Sequence, residues 1–428
     1  MKKWSSFIYE FETDGKVIML STNSKAIVSL KKEMYTDISN TLEQGMSNPT
    51  YVDEIKQLEN MKFIVDNDKN EFECFYNAVL KYRDGGNTLY ITLLTTTDCN
   101  FACKYCFEND IDKSYYLNNE VVTAFISYLQ YFIQNNKKIN NINIELFGGE
   151  PTLSWDLVID TLNKVNNVCE RHNIYLNTSI VTNGYLFDEK KCNDLLQFNF
   201  ESIQVTLDGN QDYHDKRRYT LKGEPTFDVI IRNMQDLLKL SNSVRLGIRV
   251  NCYDENILSV PDLIELLYQK IGSERVKLVF CYLEDAAEPL NNDNFSKSKF
   301  CEQLPIFNKK AKSFGFIVPE HNYHDIFCTA KINNSFVLHP KGDIYQCNVF
   351  IDKENYKLGS VFEHKPFESI FDLSLYEYCI KEKCCFLPLC HAGCVGNSFK
   401  VHGDITKIYC MKEDMEEMNK WFMLAKIR

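Results

Sequence analysis

The chain lacks any long apolar run and any excess of basic residues. No stretch of its 428 residues approaches the roughly 20 apolar residues that a membrane helix needs, and polar and acidic residues near the N-terminus leave no apolar core for a signal peptide. Lys plus Arg total 48 against 59 Asp plus Glu, a net charge of −11. We therefore expect a cytoplasmic protein without a membrane or nucleic-acid partner, because nucleic acid favours basic surfaces.

Cysteine, in contrast, is abundant. The chain has 17 cysteines, which in a cytosolic protein argue for metal ligation rather than a disulfide framework. Eight of them lie between Cys328 and Cys410. The length predicts two or three domains, and an apolar content of 44% with 25% charged residues is typical of a globular protein.

Three cysteines, Cys99, Cys103 and Cys106, share the short run CNFACKYC. A [4Fe–4S] cluster usually takes four thiolates, so three from one loop leave one iron open, as a catalytic metal keeps an open coordination position. An open iron can chelate the amino and carboxylate groups of a small molecule and transfer an electron to it. Spacing alone also allows a zinc site or three unrelated thiols.

The triplet, with aromatic Tyr105 and Phe107 around its last cysteine, resembles the cluster loop of the radical SAM superfamily. The resemblance implies a [4Fe–4S] cluster whose open iron binds S-adenosylmethionine and cleaves it reductively to a 5′-deoxyadenosyl radical. That radical abstracts a substrate hydrogen, and an external electron donor supplies the electron. The cofactors carry the chemistry, and the protein positions them.

Strand and helix patterns alternate between residues 86 and 318. The predicted strands cover 89–97, 142–147, 174–182, 203–207, 244–251 and 276–282. Six β-α repeats with short connections predict a parallel sheet, and six are too few for a closed eightfold barrel. We predict an α/β fold with an open, partial (β/α)6 barrel, which is the fold that the radical SAM resemblance also implies.

Polar and apolar residues alternate along two of these strands, 202–208 and 243–251. Alternate residues face opposite sides of a strand, so one polar set should point into the barrel. An ordinary barrel interior is apolar, and a polar lining therefore predicts a cavity for a polar ligand. A half-buried sheet with one solvated face is the alternative.

Short motifs follow the predicted strands. Gly148-Gly149-Glu150-Pro151 resembles the superfamily motif whose backbone and acid hold the methionine amino group, and glycines permit close backbone approach to a ligand. The resemblance assigns further contacts with S-adenosylmethionine to Thr182, Asn183, Thr206, Asp208, Arg218 and Asn251. Arginine suits a carboxylate because its planar fork matches it. A solvated charged loop is the alternative for residues 214–218, and no catalytic residue is assigned.

The C-terminal segment, residues 319–428, resembles the cysteine-rich SPASM domain, which holds one or two auxiliary [4Fe–4S] clusters. The resemblance assigns a first cluster to Cys328, Cys347 and Cys394. It assigns a second to Cys384, Cys390 and Cys410. The family usually has a cysteine three residues before Cys384, where this chain has Lys381, so Cys379 or Cys385 substitutes or the second cluster lacks a protein ligand. A zinc ribbon is the alternative.

Residues 1–85 form a predicted N-terminal module. Strand patterns flank Asp14-Gly15, which is a hairpin signal, and helical patterns follow. This order resembles the winged-helix-like (RRE-like) element that grips leader peptides in maturation enzymes. A generic N-terminal cap on the catalytic domain is equally compatible, because no single residue is diagnostic.

Together these features predict a radical SAM peptide maturase that installs a thioether or other cross-link in a leader-bearing, ribosomally made precursor peptide. The first alternative is a protein-residue oxidase similar to the anaerobic sulfatase maturases. Those enzymes carry an aspartate base after the cysteine that matches Cys347, whereas this chain has Asn348, which cannot accept a proton in that way. The second alternative is a non-catalytic iron–sulfur electron-transfer protein.

Overall fold

The computed structural model describes residues 1–45, 50–84, 86–106, 108, 111–283, 297–319, 328–371 and 373–427. They form two compact units. The first contains residues 1–82 and 371–427, and the second contains residues 83–319 and 328–370. The boundaries of these units differ from those of the three predicted segments. Residues 328–370 belong to the second unit, and the residues from 371 onward belong to the same unit as residues 1–82.

The first unit begins with short strands and helices. Its strands are β1 (Lys2–Trp4), β2 (Ile8–Thr13), β3 (Lys16–Ser21), β4 (Ile27–Lys31) and β5 (Ile64–Asp66). Its first helices are α1 (Lys32–Glu43), α2 (Val52–Asn60) and α3 (Glu71–Arg83). Strands β2, β3 and β4 form an antiparallel sheet. The predicted hairpin is present, since Asp14 and Gly15 have φ values of 49° and 70°, as a two-residue type I′ turn requires.

The second unit contains a nine-stranded sheet and its helices. The strands are β6 (Thr88–Leu94), β7 (Asn141–Phe147), β8 (Tyr175–Thr182), β9 (Phe200–Leu207), β10 (Arg245–Cys252), β11 (Val276–Tyr282), β12 (Ser335–Leu338), β13 (Asp343–Tyr345) and β14 (Gly359–Ser360). The helices are α4 (Asn119–Asn135), α5 (Trp155–His172), α6 (Glu189–Leu195), α7 (Gln211–Arg217), α8 (Phe227–Leu240), α9 (Val260–Ile271) and α10 (Lys297–Ser313). Within the described ranges, no helix has the length and apolar character to cross a membrane.

The strand order confirms the predicted parallel α/β arrangement. It runs β11-β10-β9-β8-β7-β6-β12-β13-β14, and every pair from β11 to β6 is parallel. Strand β12 adds in parallel to β6, while β13 and β14 extend the sheet in antiparallel pairs. The sequence did not predict this extension, because strands of two to four residues carry too little alternation to be recognised.

Alternation along the parallel strands gives the sheet an apolar face and a polar face. On β9, Ile203, Val205 and Leu207 are fully buried, whereas Gln204 is exposed and Thr206 is half-buried. We use the term polar face for the side that carries Thr92, Asn143, Glu145, Ser179, Gln204, Thr206 and Arg249. The polar alternation predicted on β9 and β10 is thus present in the structure.

Four C-terminal helices complete the first unit: α11 (Ser374–Lys381), α12 (Leu387–Cys390), α13 (Val395–His402) and α14 (Lys412–Ile427). Strand β3 is buried on both faces. Val17 and Met19 pack in one core with residues of α1 and α2. Ile18 and Leu20 pack in a second core with Phe386, Leu389, Met415 and Met423. Because successive side chains of a strand alternate, β3 joins the N-terminal module to the cysteine-rich segment.

Candidate active site

The carboxyl ends of four parallel strands bring predicted site residues to one edge of the sheet. Cys99 follows β6, Glu150 follows β7, Asn183 follows β8 and Asp208 follows β9. Hydrogen bonds join these connections: Asn183 Nδ2 donates to Cys99 Sγ at 3.9 Å, and the Asn183 backbone N–H donates to Glu150 Oε2 at 2.7 Å. This edge is where α/β barrel enzymes carry their active sites.

Local hydrogen bonds hold the cysteine loop, residues 99–106. Asp98 Oδ1 accepts the backbone N–H of Cys99 at 2.8 Å, and Asp98 Oδ2 accepts the hydroxyl of Tyr116. The backbone N–H of Phe101 donates to Cys99 Sγ at 3.4 Å. A donor directed at sulfur stabilises the thiolate, which is the form that binds a metal.

Burial by itself makes the three thiols weaker acids than an exposed cysteine. It raises the pKa of Cys99 to about 12 and also raises the pKa values of Cys103 and Cys106. A bound iron would reverse this effect, since a coordinating thiol is deprotonated outright. Among the described residues, no three His, Cys, Asp or Glu side chains converge to hold one metal ion. Three thiols of one short loop suit three corners of a [4Fe–4S] cluster, whose thiolates bind separate irons.

Gly148 and Gly149 allow the end of β7 to lie directly against the chain that precedes the cysteine loop. A Cβ atom at Gly148 would lie 2.3 Å from the Thr96 carbonyl oxygen, and one at Gly149 would lie 2.2 Å from that of Asp98. The Gly149 N–H donates to Thr96 O at 3.1 Å. The two glycines thus bring two backbone segments together, and their predicted contact with a ligand stays a prediction.

Glu150 is fully buried and accepts four hydrogen bonds. Its Oε1 accepts the Thr152 N–H at 3.1 Å, the Thr152 hydroxyl at 2.6 Å and the Thr182 hydroxyl at 2.7 Å, and its Oε2 accepts the Asn183 N–H. Burial raises the pKa of Glu150, and these hydrogen bonds oppose the rise. Glu150 therefore joins the connections after β7 and β8, and its predicted contact with the methionine amino group stays a prediction.

Tyr105, Asp208, Arg218 and Asn251 form a buried polar cluster. Arg218 Nη1 donates to the Tyr105 hydroxyl oxygen at 2.8 Å. Asn251 Nδ2 lies 3.3 Å from the same oxygen and 3.1 Å from Asp208 Oδ1. Burial raises the pKa of Asp208, and the nearby guanidinium of Arg218 opposes the rise.

Two atoms of this cluster, Asp208 Oδ2 and Arg218 Nε, are buried without a hydrogen-bond partner among the described residues. A buried acceptor or donor left without a partner is costly. S-adenosylmethionine carries an ammonium, ribose hydroxyls and a carboxylate, which supply both missing partners, so the cluster fits this cofactor. Thr206 lies nearby on the polar face, and Phe107 lies outside the described residues.

His214 on α7 supports the position of Arg218. The Asp208 N–H donates to His214 Nδ1 at 3.3 Å, so the proton lies on Nε2, which donates to Thr226 Oγ1 at 3.1 Å. The Thr226 hydroxyl donates to the Arg218 carbonyl at 2.6 Å. Burial holds the pKa of His214 well below its usual value. The alternative of a solvated charged loop is wrong for His214 and Arg218, which are both buried.

Glu145 is a residue of the polar face that sequence analysis missed. It lies on β7 between Thr92 of β6 and Ser179 of β8. Burial raises its pKa. The signal that could have found it was the alternation of Asn143 and Glu145 with Ile144 in β7, the same signal that was read on β9 and β10.

The C-terminal cysteines lie in both units. Cys328 and Cys347 belong to the second unit and Cys394 to the first, so their assignment to one auxiliary cluster stays a prediction. Within the first unit, four cysteines line one cavity, which we call the cysteine cavity: Cys379, Cys384, Cys390 and Cys410. Cys385 does not line it.

The parallel α/β sheet carries the cysteine loop at its carboxyl edge, as the resemblance to radical SAM proteins predicted. Residues 93–267 match the family model of the Radical SAM superfamily, and the chain therefore contains a radical SAM domain. The cofactors of this superfamily are a [4Fe–4S] cluster and S-adenosylmethionine.

Two relatives show different activities. The chain is 26% identical over 335 residues to a cysteine-type anaerobic sulfatase-maturating enzyme of Clostridium novyi, which covers 71% of this chain and 86% of that enzyme. It is 28% identical over 229 residues to the radical SAM cyclopropyl synthase TigE of Paramaledivibacter caminithermalis. That match covers 50% of this chain and 47% of TigE, so the chain spans about half the length of this relative.

Solved structures share the fold. Native anSMEcpe with bound AdoMet and the Kp18Cys peptide has a TM-score of 0.61 at 19% identity, covering 79% of this chain and 100% of that chain. Streptococcus suis SuiB bound to precursor peptide SuiA has a TM-score of 0.51 at 14% identity, covering 94% of this chain and 97% of that chain. At these identities the likeness shows a radical SAM α/β fold with a mostly parallel sheet.

Proposed function

We propose that this chain is a radical SAM peptide maturase that installs a thioether or other cross-link in a leader-bearing, ribosomally made precursor peptide. When a [4Fe–4S] cluster and S-adenosylmethionine are bound, they supply a 5′-deoxyadenosyl radical that abstracts a hydrogen from the peptide. Cys99, Cys103 and Cys106 would hold the cluster. The reaction would take place in the cytoplasm with an external electron donor.

The observation that carries the proposal is the buried cluster of Tyr105, Asp208, Arg218 and Asn251. It places an acceptor and a donor without protein partners in the described residues at the same sheet edge as the cysteine loop. Such atoms suit a polar small molecule. A protein that only transfers electrons through its clusters has no need of them, so this arrangement favours an enzyme.

The polar face suits a peptide substrate. Glu145 of β7, Gln204 of β9 and Arg249 of β10 present an acid, an amide and a base on this face, and Gln204 and Arg249 are exposed. These groups can pair with peptide backbone and side chains of either charge. Both SuiB and anSMEcpe are known in complexes with peptides, which supports the same substrate class here.

The N-terminal module would hold the leader. Its three-stranded sheet has β2 and β4 as edge strands, and an edge strand offers backbone N–H and C=O groups that an extended peptide can join as an added strand. This arrangement of strands followed by helices supports the winged-helix-like assignment.

Auxiliary clusters of a SPASM domain would accept an electron, or bind a substrate thiolate, while the cross-link closes.

A sulfatase-maturase-like oxidation is the second candidate, because the Clostridium novyi relative matches over 71% of this chain. The residue after Cys347 argues against this candidate on chemical grounds. Asn348 stands there, and its Oδ1 is buried without a hydrogen-bond partner in the described part of the chain. An amide oxygen has no useful basicity near neutral pH, so Asn348 does not replace an aspartate base.

Anaerobic reconstitution tests the proposal. The chain would be loaded with iron and sulfide, then incubated with S-adenosylmethionine, dithionite and synthetic peptides encoded by short reading frames beside its own. We expect 5′-deoxyadenosine and a peptide product two mass units lighter for each cross-link, because a cross-link removes two hydrogens. The Cys99→Ala, Cys103→Ala, Cys106→Ala triple variant is the control and should form neither.

The outcomes separate the candidates. Turnover of a sulfatase-derived cysteine or serine peptide, with none of the precursor peptide, would favour the oxidase. Clusters that load and reduce without any 5′-deoxyadenosine would favour the electron carrier and overturn the proposal.

A further inference from the structure

The second auxiliary cluster of the proposed function is one cysteine short at the usual position. Lys381 stands three residues before Cys384, is the last residue of α11 and is exposed. Helical residues are about 100° apart around the axis, so positions 379 and 381 face nearly opposite directions. The buried face of α11 carries Leu375, Tyr376 and Cys379. The helix therefore directs position 379, and not 381, into the unit.

The end of α11 brings Cys379 and Cys384 together. The Cys384 N–H donates to the Cys379 carbonyl at 3.0 Å, and the Lys383 N–H donates to the Ile380 carbonyl at 3.0 Å. Lys383 has a left-handed φ of 49°. These two bonds and the left-handed residue make a Schellman motif, whose geometry sets the side chains of these two positions beside each other. A separation of five residues across a helix end thus replaces the usual separation of three.

A turn directly after Cys390 brings Cys390 and the segment of Cys410 to the same cavity. The residues after Cys390 reverse the chain, because His391, Ala392 and Gly393 all have positive φ values of 50°, 60° and 78°. A Cβ atom at Gly393 would lie 2.7 Å from the Tyr409 carbonyl oxygen. Only glycine lets the segment that carries Cys410 pass so close to this turn.

The cysteine cavity has the surroundings of a buried cofactor. Besides its four cysteines, it is lined mainly by apolar residues, among them Phe386, Leu387 and Met415. Cys379 is buried, with 8% of its surface exposed. An apolar shell controls solvent access to a metal site and its dielectric environment.

Cys385 lies elsewhere. Its carbonyl accepts a hydrogen bond from the Thr22 hydroxyl. Its side chain packs against the core that contains Ile18, Leu20 and Phe386. Cys385 does not line the cysteine cavity.

We infer that Cys379 is the fourth thiolate of the second auxiliary cluster, with Cys384, Cys390 and Cys410, and that Cys385 is not a ligand. The inference rests on the proposed function only in assuming that this segment holds a cluster. It makes that cluster fully protein-ligated, so a substrate thiolate would have to bind elsewhere.

The test uses the full chain with Cys99, Cys103 and Cys106 changed to alanine, so that only auxiliary clusters remain. Cys379→Ala and Cys385→Ala are added separately, and iron, sulfide and the electron paramagnetic resonance spectrum of the reduced protein are measured after anaerobic reconstitution. We expect Cys379→Ala to lose about four irons per chain, or to change the spectrum, and Cys385→Ala to match the background.

The inference is wrong if Cys385→Ala shows the loss, if neither variant differs from the background, or if the background binds zinc instead of iron. Should Cys379→Ala fail to fold by circular dichroism, Cys379→Ser keeps the side-chain volume, and an unchanged spectrum in that variant would count equally against the inference. These readouts do not depend on peptide turnover, so failure of the peptide reaction would leave the ligand assignment standing.

Discussion

Asp208 and Arg218 show that a site residue can be recognised by a hydrogen-bonding atom that the described part of the protein does not satisfy. Both are hydrogen-bonded within the cluster, and each keeps a buried polar atom without a partner in the described residues. Their charges are opposite, and burial strengthens the electrostatic interaction of each with a bound ligand. The pair can thus bind a ligand that carries both an ammonium and a carboxylate.

Asp208→Asn should weaken S-adenosylmethionine binding to the cluster-loaded protein by roughly 10- to 100-fold, because a hydrogen bond to a charged group contributes about 1.5–3 kcal/mol. Asparagine keeps the shape of the side chain and removes its charge. Anaerobic equilibrium dialysis measures the change. Asp212→Asn, at an exposed acid of α7, is the matched control and should bind normally; equal affinities for the two variants would contradict the assignment of Asp208.

Glu145→Gln should stabilise the protein, and more at pH 8 than at pH 5. Burial raises the folded-state pKa of Glu145, so the folded protein holds its proton more tightly than the unfolded chain, and stability falls as pH rises from the unfolded value. Glutamine removes this dependence. We expect a melting temperature about 2 °C higher at pH 8, roughly the shift that 1 kcal/mol produces in a domain of 150–250 residues. A gain of the same size at both pH values would show that the carboxylate is not the cause.

The connections after β6 and β7 depend on each other. A side chain at Gly149 would collide with the Asp98 carbonyl oxygen. The Glu150 N–H donates a hydrogen bond to the same oxygen at 2.9 Å. Asp98 in turn accepts the N–H of Cys99. Gly149, in the connection after β7, thus helps to position the first cysteine of the loop through the backbone of Asp98.

Gly149→Ala should lower the iron content at the cysteine loop and destabilise the fold by about 1–3 kcal/mol, the usual cost of overpacking. Gly223→Ala is the matched control, since Gly223 has a φ of 79° with no atom within 4 Å of the added Cβ, and it should cost about 1–2 kcal/mol of backbone strain with iron unchanged. Iron analysis and thermal unfolding distinguish the two. Full iron loading of Gly149→Ala would argue against this role of the close approach.

Elements with long, regular patterns were predicted well, and short ones were not. The six parallel strands and the hairpin of β2 and β3 follow from alternation and turn chemistry that lie within a few residues. Helix α7 and strands β12 to β14 were missed. Each is seven residues or shorter, and their formation depends on partners distant in sequence, such as the pairing of β12 with β6.

Strand β3 connects two cores of the first unit. Met19 and Leu20 are adjacent and almost completely buried, with 0% and 1% exposed, yet they belong to different cores. The core of Leu20 includes Phe386, which also lines the cysteine cavity. The N-terminal module and the residues from 371 onward therefore form one compact unit, although they are separated by nearly 300 residues of chain.

Leu20→Ala and Met19→Ala should each lower the free energy of unfolding by about 2–5 kcal/mol, the usual cost of truncating a large buried side chain. Only Leu20→Ala should also lower auxiliary-cluster iron, because only its core borders the cysteine cavity. Iron per folded chain, measured in the variant without the three loop cysteines, checks this. Equal iron loss in both variants would indicate a general effect of instability.

The chain's sequence alone determined the radical SAM character, the parallel α/β arrangement and the position of the cysteine loop, because ligand spacing and strand alternation are local properties. The tertiary structure decided which of the candidate site residues contact one another. It placed the GGEP glycines against the backbone that precedes the cysteine loop, gave Glu150 four protein donors, and lined the cysteine cavity with Cys379 rather than Cys385. Such facts depend on where distant segments pack, and the packing of each side chain is set by neighbours that no local pattern specifies.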